Sequence, residues 1–234
     1  LALDLAGCDR AARAAWEAGV RLMVGHVRRF DAGYSEAKKI IDSGSIGRPV
    51  LYRSISGDVD PPPPDFADLA VSGGLILDSM YHDIYLGRWL MGQEITRVYG
   101  EGSALIDEGV RAVGDVDNAV ISARFADGSM GTLTATRTAR YGHDLRGEVI
   151  GDQGAVRIER LRKTPICVLD GSGVHHDTVH TTPERMGDAF ITMLQAFVDC
   201  VVENTDPPVA STVTFSPYSL RFLLTMPAIA PPVG

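Results

Sequence analysis

Asp78 and His82 stand four residues apart in "GGLILDSMYHDIYLGRWL", a stretch whose apolar residues otherwise recur at helical spacing. On one helical face, the carboxylate could accept a hydrogen bond from one ring nitrogen and leave the other nitrogen as a base. A self-satisfied polar pair in a core would show the same spacing. Gly73 and Gly74, together with the proline-rich loop "PPPPDFADLAVSGG" that they end, favour a cleft.

Two further polar clusters come at the ends of predicted strands. Arg28 and Arg29 directly follow the apolar run "RLMVGHV", and parallel α/β sheets bind ligands at the carboxyl ends of such strands. Tyr141, His143 and Asp144 stand where one predicted strand ends and the next begins, and their hydrogen-bonding groups suit a polar ligand. A solvated or acid-paired arginine and an ordinary turn cluster would show the same patterns, so both interpretations stay open.

The composition indicates an ordinary globular protein. The 234 residues are 45% hydrophobic and 22% charged, with a formal net charge of -8 and no basic stripe to follow a phosphate backbone. We therefore expect no nucleic acid partner. The longest apolar stretches are shorter than a bilayer requires, so we expect no membrane association. Cys8, Cys167 and Cys200 are odd in number and far apart, which fits a reducing cytoplasm.

Two apparent motifs do not support a site. His175, His176 and His180 could suggest a metal, but in an alternating strand His176 and His180 share one face while His175 points away. No third ligand is at hand on their side, so we expect no metal. The segment "YGEGSAL" has only the first two glycines of a dinucleotide fingerprint, and no helix is predicted after it.

The hydrophobic pattern predicts an α+β fold. A helix capped by Asp4 and stopped by Gly19, followed by a strand in "RLMVGHV", indicates one helix-strand step of a parallel sheet. A second helix precedes the strand "PVLYRSIS", and a third is expected from Gly74 to Met91. From Ile95 onward the period changes to two, which predicts an antiparallel meander before a final long helix. Such a sheet carries its helices on one face.

Together these segments resemble the Gfo/Idh/MocA family of nicotinamide-dependent sugar oxidoreductases, and within it most closely the inositol 2-dehydrogenase branch. The resemblance is carried, in this order, by "VGHVRRFDAGY", "SIGRPV", "GGLILDSMYHDIYLGRWLMG", "ARYGHDLRGEVIGDQGAVRI" and "MLQAFVDCV". Each segment alone is weak, whereas the ordered set is specific. The resemblance implies an NAD(P)-dependent dehydrogenase that oxidises a secondary hydroxyl of a cyclitol or sugar.

The resemblance also implies two domains. Members of the family have an N-terminal Rossmann domain that holds NAD or NADP, then a substrate domain whose large, open, mostly antiparallel sheet packs against other subunits. Residues 1–27 would be the last helix-strand step of the Rossmann domain, and residues 28–234 the substrate-binding and oligomerisation domain of a homodimer or homotetramer. The family's glycine-rich turn and catalytic lysine would precede Leu1. The chain is therefore expected to be a fragment that by itself neither binds NAD(P) nor oxidises a polyol.

Residue roles follow from the same resemblance. Asp78 and His82 match the family's catalytic Asp-x-x-x-His, in which His82 would accept the hydroxyl proton while Asp78 orients the imidazole. Arg28 and Tyr141 would border substrate and nicotinamide, and His143 would contact a substrate hydroxyl. The spacing of these residues along the chain is that of the family.

The sequence also departs from the inositol branch. Arg28 and Arg29 are retained as candidate cofactor contacts, but Ser56 stands where the inositol enzymes have a histidine. Tyr85, three residues past His82, stands where they usually have an aspartate. Both positions line the polyol site in that branch, so a cyclitol or sugar other than myo-inositol stays open as the substrate. The C-terminal segment "FSPYSLRFLLTMPAIAPPVG" lacks the family's Asp-Gly pair and small-residue helix.

Two other functions stay open from the sequence. A non-catalytic oligomerisation or ligand-binding module could keep this fold after losing its cofactor domain. An NAD-dependent glycosidase or a reductase on the same scaffold would share Asp78 and His82 and differ in its substrate. Loss of turnover on changing His82 would separate the enzymes from the module.

Overall fold

The central element of the molecule is a six-stranded sheet. The computed structural model describes residues 2–159 and 161–209, and the strands of this sheet are β1 Pro49–Gly57, β2 Ile95–Ser103, β3 Asn118–Phe125, β4 Met130–Thr136, β5 Asp144–Gly151 and β6 Ala155–Ile158. They lie in the order β2-β3-β4-β1-β5-β6. β1 runs parallel to β4, and the other neighbouring pairs of this sheet are antiparallel. The predicted, mostly antiparallel sheet is confirmed.

Several of the helices begin at a side chain that accepts a hydrogen bond from a free backbone N–H group. They are α1 Leu5–Glu17, α2 Ala32–Asp42, α3 Pro64–Ala67, α4 Leu69–Ser72, α5 Tyr81–Met91, α6 Glu108–Ala112 and α7 Thr182–Val202. Asp4, Asp31 and Thr181 cap α1, α2 and α7 by accepting a hydrogen bond from a backbone N–H of the first turn. The cap predicted at Asp4 is confirmed. Two short strands, β7 Cys167–Asp170 and β8 Gly173–His176, form a separate hairpin.

The two faces of the sheet have different environments. In β3, Ala119, Ile121 and Phe125 are buried on the face that the helices cover. In β4, the threonines alternate with buried residues and lie on the opposite, open face, where Val120 and Met130 are exposed. One face of the sheet is therefore covered by the helices of the chain, as the alternation predicted.

The helix expected from Gly74 to Met91 is present but irregular. It contains a π turn at Ile76–Met80, directly before α5. Single π turns inside α-helices occur frequently at functional sites. Asp78 lies inside this turn, whereas His82 lies in the first turn of α5, so the two side chains do not stand on one regular helix.

Among the described residues, the segment "RLMVGHV" does not form the predicted strand. It is extended and lies outside the six-stranded sheet, with a single bridge at Met23 and a hydrogen bond from Val24 N–H to the carbonyl of Val209 (3.3 Å). Val24 is buried in the main core cluster. Its apolar character is therefore explained by packing, which a periodicity argument cannot distinguish from strand pairing.

The final helix is confirmed as α7, but its apolar residues are not all buried. Met193 and Phe197 are partly buried, whereas Phe190, Leu194, Val198 and Val201 are exposed. The C-terminal segment "FSPYSLRFLLTMPAIAPPVG" lies outside the described residues. Within the described part, no helix is both long and apolar enough to cross a membrane.

Gly87 allows α5 to pack closely on β1. A Cβ atom at Gly87 would lie 2.8 Å from Cε1 and 2.9 Å from Cδ1 of Tyr52, whose ring is fully buried. The Tyr52 hydroxyl donates to the carbonyl of Asp83 (3.3 Å), so α5 contacts both the ring and the hydroxyl of Tyr52. This contact sets the height of α5 above the sheet, and with it the height of His82.

We expect Gly87→Ala to lower the free energy of unfolding by about 1–3 kcal/mol, because overpacking a rigid core costs more than the gain in helix propensity. Gly187→Ala is the matched control, since Gly187 lies within α7 and no atom would lie within 4 Å of its Cβ. That variant should be neutral or more stable by about 0.5–1 kcal/mol. Urea denaturation of both variants measures the difference, and equal stabilities would contradict the close contact.

Candidate active site

A cavity of about 430 Å³ opens on the helix-covered side of the sheet. Its polar lining residues are Arg28, Asp58, Asp60, Asp78, Ser79, His82, Arg137, His143, His180, Thr181 and Thr182. Pro61, Pro62 and Pro63 form part of the wall, so the prediction that the proline-rich loop borders a cleft is confirmed. The volume is in the range of small-molecule sites.

Four of the predicted site residues meet in this cavity. Asp78 comes from the π turn, His82 from α5, Arg28 from the short 3₁₀ turn at Val27–Phe30, and His143 from the residue before β5. These positions are far apart in the chain, and the sheet with its covering helices brings them together. Their convergence makes this cavity the candidate active site.

The His82 imidazole is held in its neutral form. Burial lowers the pKa of this imidazole well below its usual value, and the nearby positive charge of Arg28 acts in the same direction. The ring lies beside Tyr81, with the ring centroids 3.9 Å apart. At neutral pH the imidazole is therefore uncharged and able to accept a proton.

The carboxylate of Asp78 is bonded to an arginine rather than to His82. Its Oδ2 accepts a hydrogen bond from Nη2 of Arg137 at 3.2 Å. Within the described residues, neither a hydrogen bond nor an ion pair is recorded between Asp78 and His82. Burial raises the pKa of the Asp78 carboxyl, and the Arg137 charge opposes that rise. The expected contact assumed regular helical spacing, whereas Asp78 lies inside the π turn.

Arg28, which lines the cavity, belongs to a buried ion pair with Asp83, the residue after His82. Nη1 of Arg28 donates to Oδ1 of Asp83 at 3.0 Å and to Oγ of Ser56 at 2.9 Å. Ser56 in turn donates to Oδ2 of Asp83 at 2.7 Å, and Ser54 donates to the same carboxylate. Asp83 is fully buried. Arg28 is thus held in place by α5 and β1 together.

His143 is a second imidazole in the cavity. Its Nδ1 lies 3.5 Å from Oδ1 of Asp58, and its Nε2 is buried without a hydrogen-bond partner in the described structure. Burial lowers the pKa of this imidazole, while Asp58 acts to raise it. An uncharged ring with a free nitrogen can donate to or accept from a hydroxyl, depending on its tautomer.

The four other predicted residues, Tyr141, Tyr85, Arg29 and Ser56, do not line the cavity. Tyr141 is exposed on the open face of the sheet, where its hydroxyl donates to Oδ2 of Asp144 (3.1 Å), because the chain reverses at Gly142, which has a φ of 122°. Tyr85 is buried with its ring stacked on His26 at 3.5 Å. Its hydroxyl accepts a hydrogen bond from Arg29.

These placements change the expected contacts. Ser56 supports Arg28 from behind and is not among the residues that line the cavity. Tyr85 and Arg29 bind each other, and the guanidinium of Arg29 also lies 5.2 Å from the ring centroid of Trp89. Ser56, Tyr85 and Tyr141 therefore do not line this cavity, as a direct contact with a substrate there would require.

Sequence reasoning missed four residues of the site. Asp83, Arg137 and Asp58 are charged residues in or next to apolar segments. That position in the sequence is the signal by which they could have been identified as site residues. His180 was assigned to a strand with His176, but β8 ends at His176 and His180 lines the cavity instead. His175 bonds within its own turn to Ser172 and Asp170. Among the described residues, no group of three or more His, Cys, Asp or Glu is arranged to hold a metal ion.

Comparison with known proteins gives the family and close relatives. Residues 34–157 match the GFO/IDH/MocA C-terminal domain. The chain is 38% identical over 207 residues to scyllo-inositol 2-dehydrogenase (NAD(+)) of Bacillus subtilis (strain 168), covering 88% of this chain and 60% of the relative. It is 36% identical over 212 residues to myo-inositol 2-dehydrogenase of Thermotoga maritima, covering 90% of this chain and 63% of the relative. The chain thus spans less than two thirds of the length of these two relatives.

The fold is shared with solved structures of the same group. The structure of scyllo-inositol dehydrogenase from Lactobacillus casei, with bound cofactor NAD(H) and scyllo-inositol, aligns with a TM-score of 0.84 at 30% identity. The alignment covers 95% of this chain and 66% of that one.

We expect Asp83→Asn to lower the free energy of unfolding by about 3–5 kcal/mol, because it leaves the buried Arg28 cation without its partner. Glu36→Gln removes the carboxylate of an exposed pair with Lys39 and serves as the control, with an expected loss below about 0.5 kcal/mol. Chemical denaturation of the two variants gives both values. A similar small loss in both would show that Arg28 does not depend on Asp83.

Proposed function

Because this chain belongs to the GFO/IDH/MocA family, we propose that it forms the substrate-binding part of an NAD-dependent dehydrogenase that oxidises a secondary hydroxyl of a cyclitol. The observation that carries the proposal is the uncharged imidazole of His82 in a cavity with Asp78 and a second imidazole. The relatives named for inositol oxidation, including the one whose structure contains scyllo-inositol and NAD(H), support this substrate class.

The chemistry requires a base and a hydride acceptor. Oxidation of a secondary alcohol removes the hydroxyl proton and a hydride from the same carbon, and the cofactor supplies the site that takes the hydride. His82 would take the proton, since its ring is neutral at the working pH. Asp78 would offset the positive charge that then forms on the imidazole, because it is a carboxylate in the same cavity.

The charges around the cavity favour an uncharged, hydroxylated substrate. Arg28 is neutralised by Asp83, and Arg137 lies between Asp78 and Asp115. Neither arginine is left to bind a carboxylate or phosphate of a substrate. The free Nε2 of His143 suits a hydroxyl group, as does the half-exposed Asp58 beside it. An acidic sugar would find no unpaired arginine among these residues.

The residues of this chain fit the reactive end of a nicotinamide cofactor and not its pyrophosphate. Arg28 and Arg29, the two candidate cofactor contacts, are engaged by Asp83 and Tyr85. A pyrophosphate is held by backbone N–H groups of a glycine-rich turn at a helix N-terminus, and the described residues contain no G-x-G-x-x-G turn of this kind. Arg28 and His82 would therefore border the nicotinamide over the cavity.

We assign residues 1–27 to the cofactor domain and residues 28–234 to the substrate domain. In support, Trp16 in α1 and Val20 just after it are strongly exposed, whereas Arg28, the first residue of the second range, is buried and lines the cavity. An exposed tryptophan on a short amphipathic helix suits packing against a further domain.

The open face of the sheet supports association of the substrate domain with copies of itself. It presents Val120, Met130 and Tyr99 as exposed apolar residues beside a row of threonines. Open antiparallel sheets bury such a face against a partner when it is not meant for solvent. We propose that two or four chains associate through this face.

In the full-length protein, His82→Ala should lower kcat by about 10²- to 10⁴-fold, the range for loss of a general base, and leave the affinity for NAD unchanged. His176→Ala is the matched control, because His176 lies on the exposed β8 hairpin. Steady-state oxidation of scyllo- and myo-inositol gives kcat, and quenching of protein fluorescence gives NAD affinity. Full activity of the His82 variant would show that His82 is not the catalytic base.

Val120→Glu should shift the protein from dimers or tetramers to monomers at micromolar concentration, because it buries a charge in the proposed sheet interface. Val71→Glu is the control, since Val71 has a similar exposure but lies in α4, on the helix-covered side. Sedimentation velocity measures both. A wild-type protein that sediments as a monomer would contradict association through this face.

A further inference from the structure

Arg137 has no role in the expected catalytic pair, yet it is one of the most deeply buried residues of the described structure. It directly follows β4, where its backbone N–H donates to the carbonyl of Asp117 at 2.8 Å. Its side chain is 2% exposed and reaches the cavity. Its Nη2 lies 3.2 Å from Oδ2 of Asp78 and 3.6 Å from Oδ2 of Asp115.

Asp115 connects this guanidinium to the start of the helix that carries the site. Both of its carboxylate oxygens accept the backbone N–H of Leu75, each at 3.1 Å. Gly74 makes this approach possible, because a Cβ atom there would lie 2.5 Å from Oδ1 of Asp115, and its φ is 73°. Leu75 immediately precedes the π turn that contains Asp78.

The arrangement gives Asp78 an anchor outside its own helix. A π turn departs from regular hydrogen bonding, so the helix itself fixes the direction of an Asp78 side chain less firmly than a regular turn would. The sheet supplies the missing constraint, since Arg137 is attached to β4 and cannot move without disturbing Asp115. Burying a cation is costly unless it is paired, and the two carboxylates supply that pairing.

We propose that Arg137 is the positioning residue of the candidate active site: it holds the carboxylate of Asp78 in a fixed direction, and Asp115 holds Arg137. This inference rests on the proposed function for its effect on turnover, but the hold itself is a property of the folded chain. In this role Arg137 acts on turnover through Asp78.

Several other groups act on the same carboxylate. The charged and titratable groups around Asp78 are Arg137 after β4, Asp115 after α6, Asp58 after β1, Tyr81 and His82 on α5, and Arg28, His143 and His180 across the cavity. Arg137 lowers the pKa of the Asp78 carboxyl, whereas Asp58 and Asp115 raise it. Removal of the Arg137 charge should therefore raise the pKa of Asp78.

The first experiment needs no activity. The Asp78 carboxyl is titrated by carbon-detected NMR in the 234-residue chain and in two variants. Arg137→Met should raise the pKa of Asp78, whereas Arg137→Lys should leave it closer to the wild-type value. An unmoved pKa in Arg137→Met overturns the proposal. If Arg137→Met does not fold, Arg137→Gln takes its place with the same expected rise, and an unmoved pKa in that variant overturns the proposal.

The second experiment measures turnover in the full-length protein. Arg137→Met should lower kcat/KM by about 10²-fold through misplacement of Asp78, and Arg137→Lys should restore part of that loss. The acidic limb of the pH profile of kcat/KM should move to higher pH in Arg137→Met, because Asp78 then stays protonated to a higher pH. Arg185→Met is the control, since Arg185 is an equally buried arginine paired with Asp31 outside the cavity. It should leave the acidic limb in place.

The two experiments separate the possible failures. If the pKa of Asp78 moves as expected but kcat/KM and its acidic limb do not, Arg137 holds Asp78 and the catalytic role of Asp78 in the proposed function is wrong. If Arg185→Met moves the acidic limb as far as Arg137→Met does, the effect is general destabilisation, and the positioning role of Arg137 is overturned.

Discussion

The buried ion pair between Arg28 and Asp83 is the interaction on which the rest of the site depends. It joins three parts of the chain: the 3₁₀ turn before α2, strand β1 through Ser54 and Ser56, and α5. Asp83 directly follows His82, so any change in the pair moves the candidate base. A charge this deeply buried is tolerated only when its partner and its hydrogen bonds are all in place. The ion pair can therefore form only in one arrangement of these three segments.

The sheet separates two surfaces with different chemistry. Alternation along β1 sends Ser54 and Ser56 toward α5 and the ion pair, while Arg53 and Ile55 point to the open face. The same alternation, together with the reversal at Gly142, puts His143 in the cavity and Tyr141 on the open face. One sheet thus supports the candidate active site on one side and the proposed subunit contact on the other.

Predictions from the sequence were correct where the residue types and the period of the hydrophobic pattern indicated the same element. The mostly antiparallel sheet and the long α7 follow from the alternating and helical periods, and the family resemblance implied the meeting of Arg28, Asp78, His82 and His143 in one cavity. The predicted meander is interrupted, since β1 lies between β4 and β5 and the β7–β8 hairpin stands apart from the sheet. Prediction failed for "RLMVGHV", where an apolar run is buried without joining the sheet. It also failed for the bonding of Asp78, because no pattern of residues reveals a π turn. Arg137 and Asp115 could not be paired in advance, since their contact depends on the register of β4 against β1 and on the path of the chain at Gly74.

The arginines of the cavity also explain why the site needs an anchored carboxylate. Arg28 and burial together keep the His82 imidazole uncharged, which makes it a base at neutral pH. Under the proposed function, proton transfer places a second positive charge beside Arg28, and the same desolvation that favours the neutral ring opposes the charged one. Asp83 already forms an ion pair with Arg28, so the negative charge that opposes the protonated imidazole has to come from another group. Asp78 is a carboxylate of the same cavity, and burial raises its pKa, which works against its ionised form. A base buried beside Arg28 therefore requires a carboxylate whose ionised form is favoured by a second arginine, Arg137.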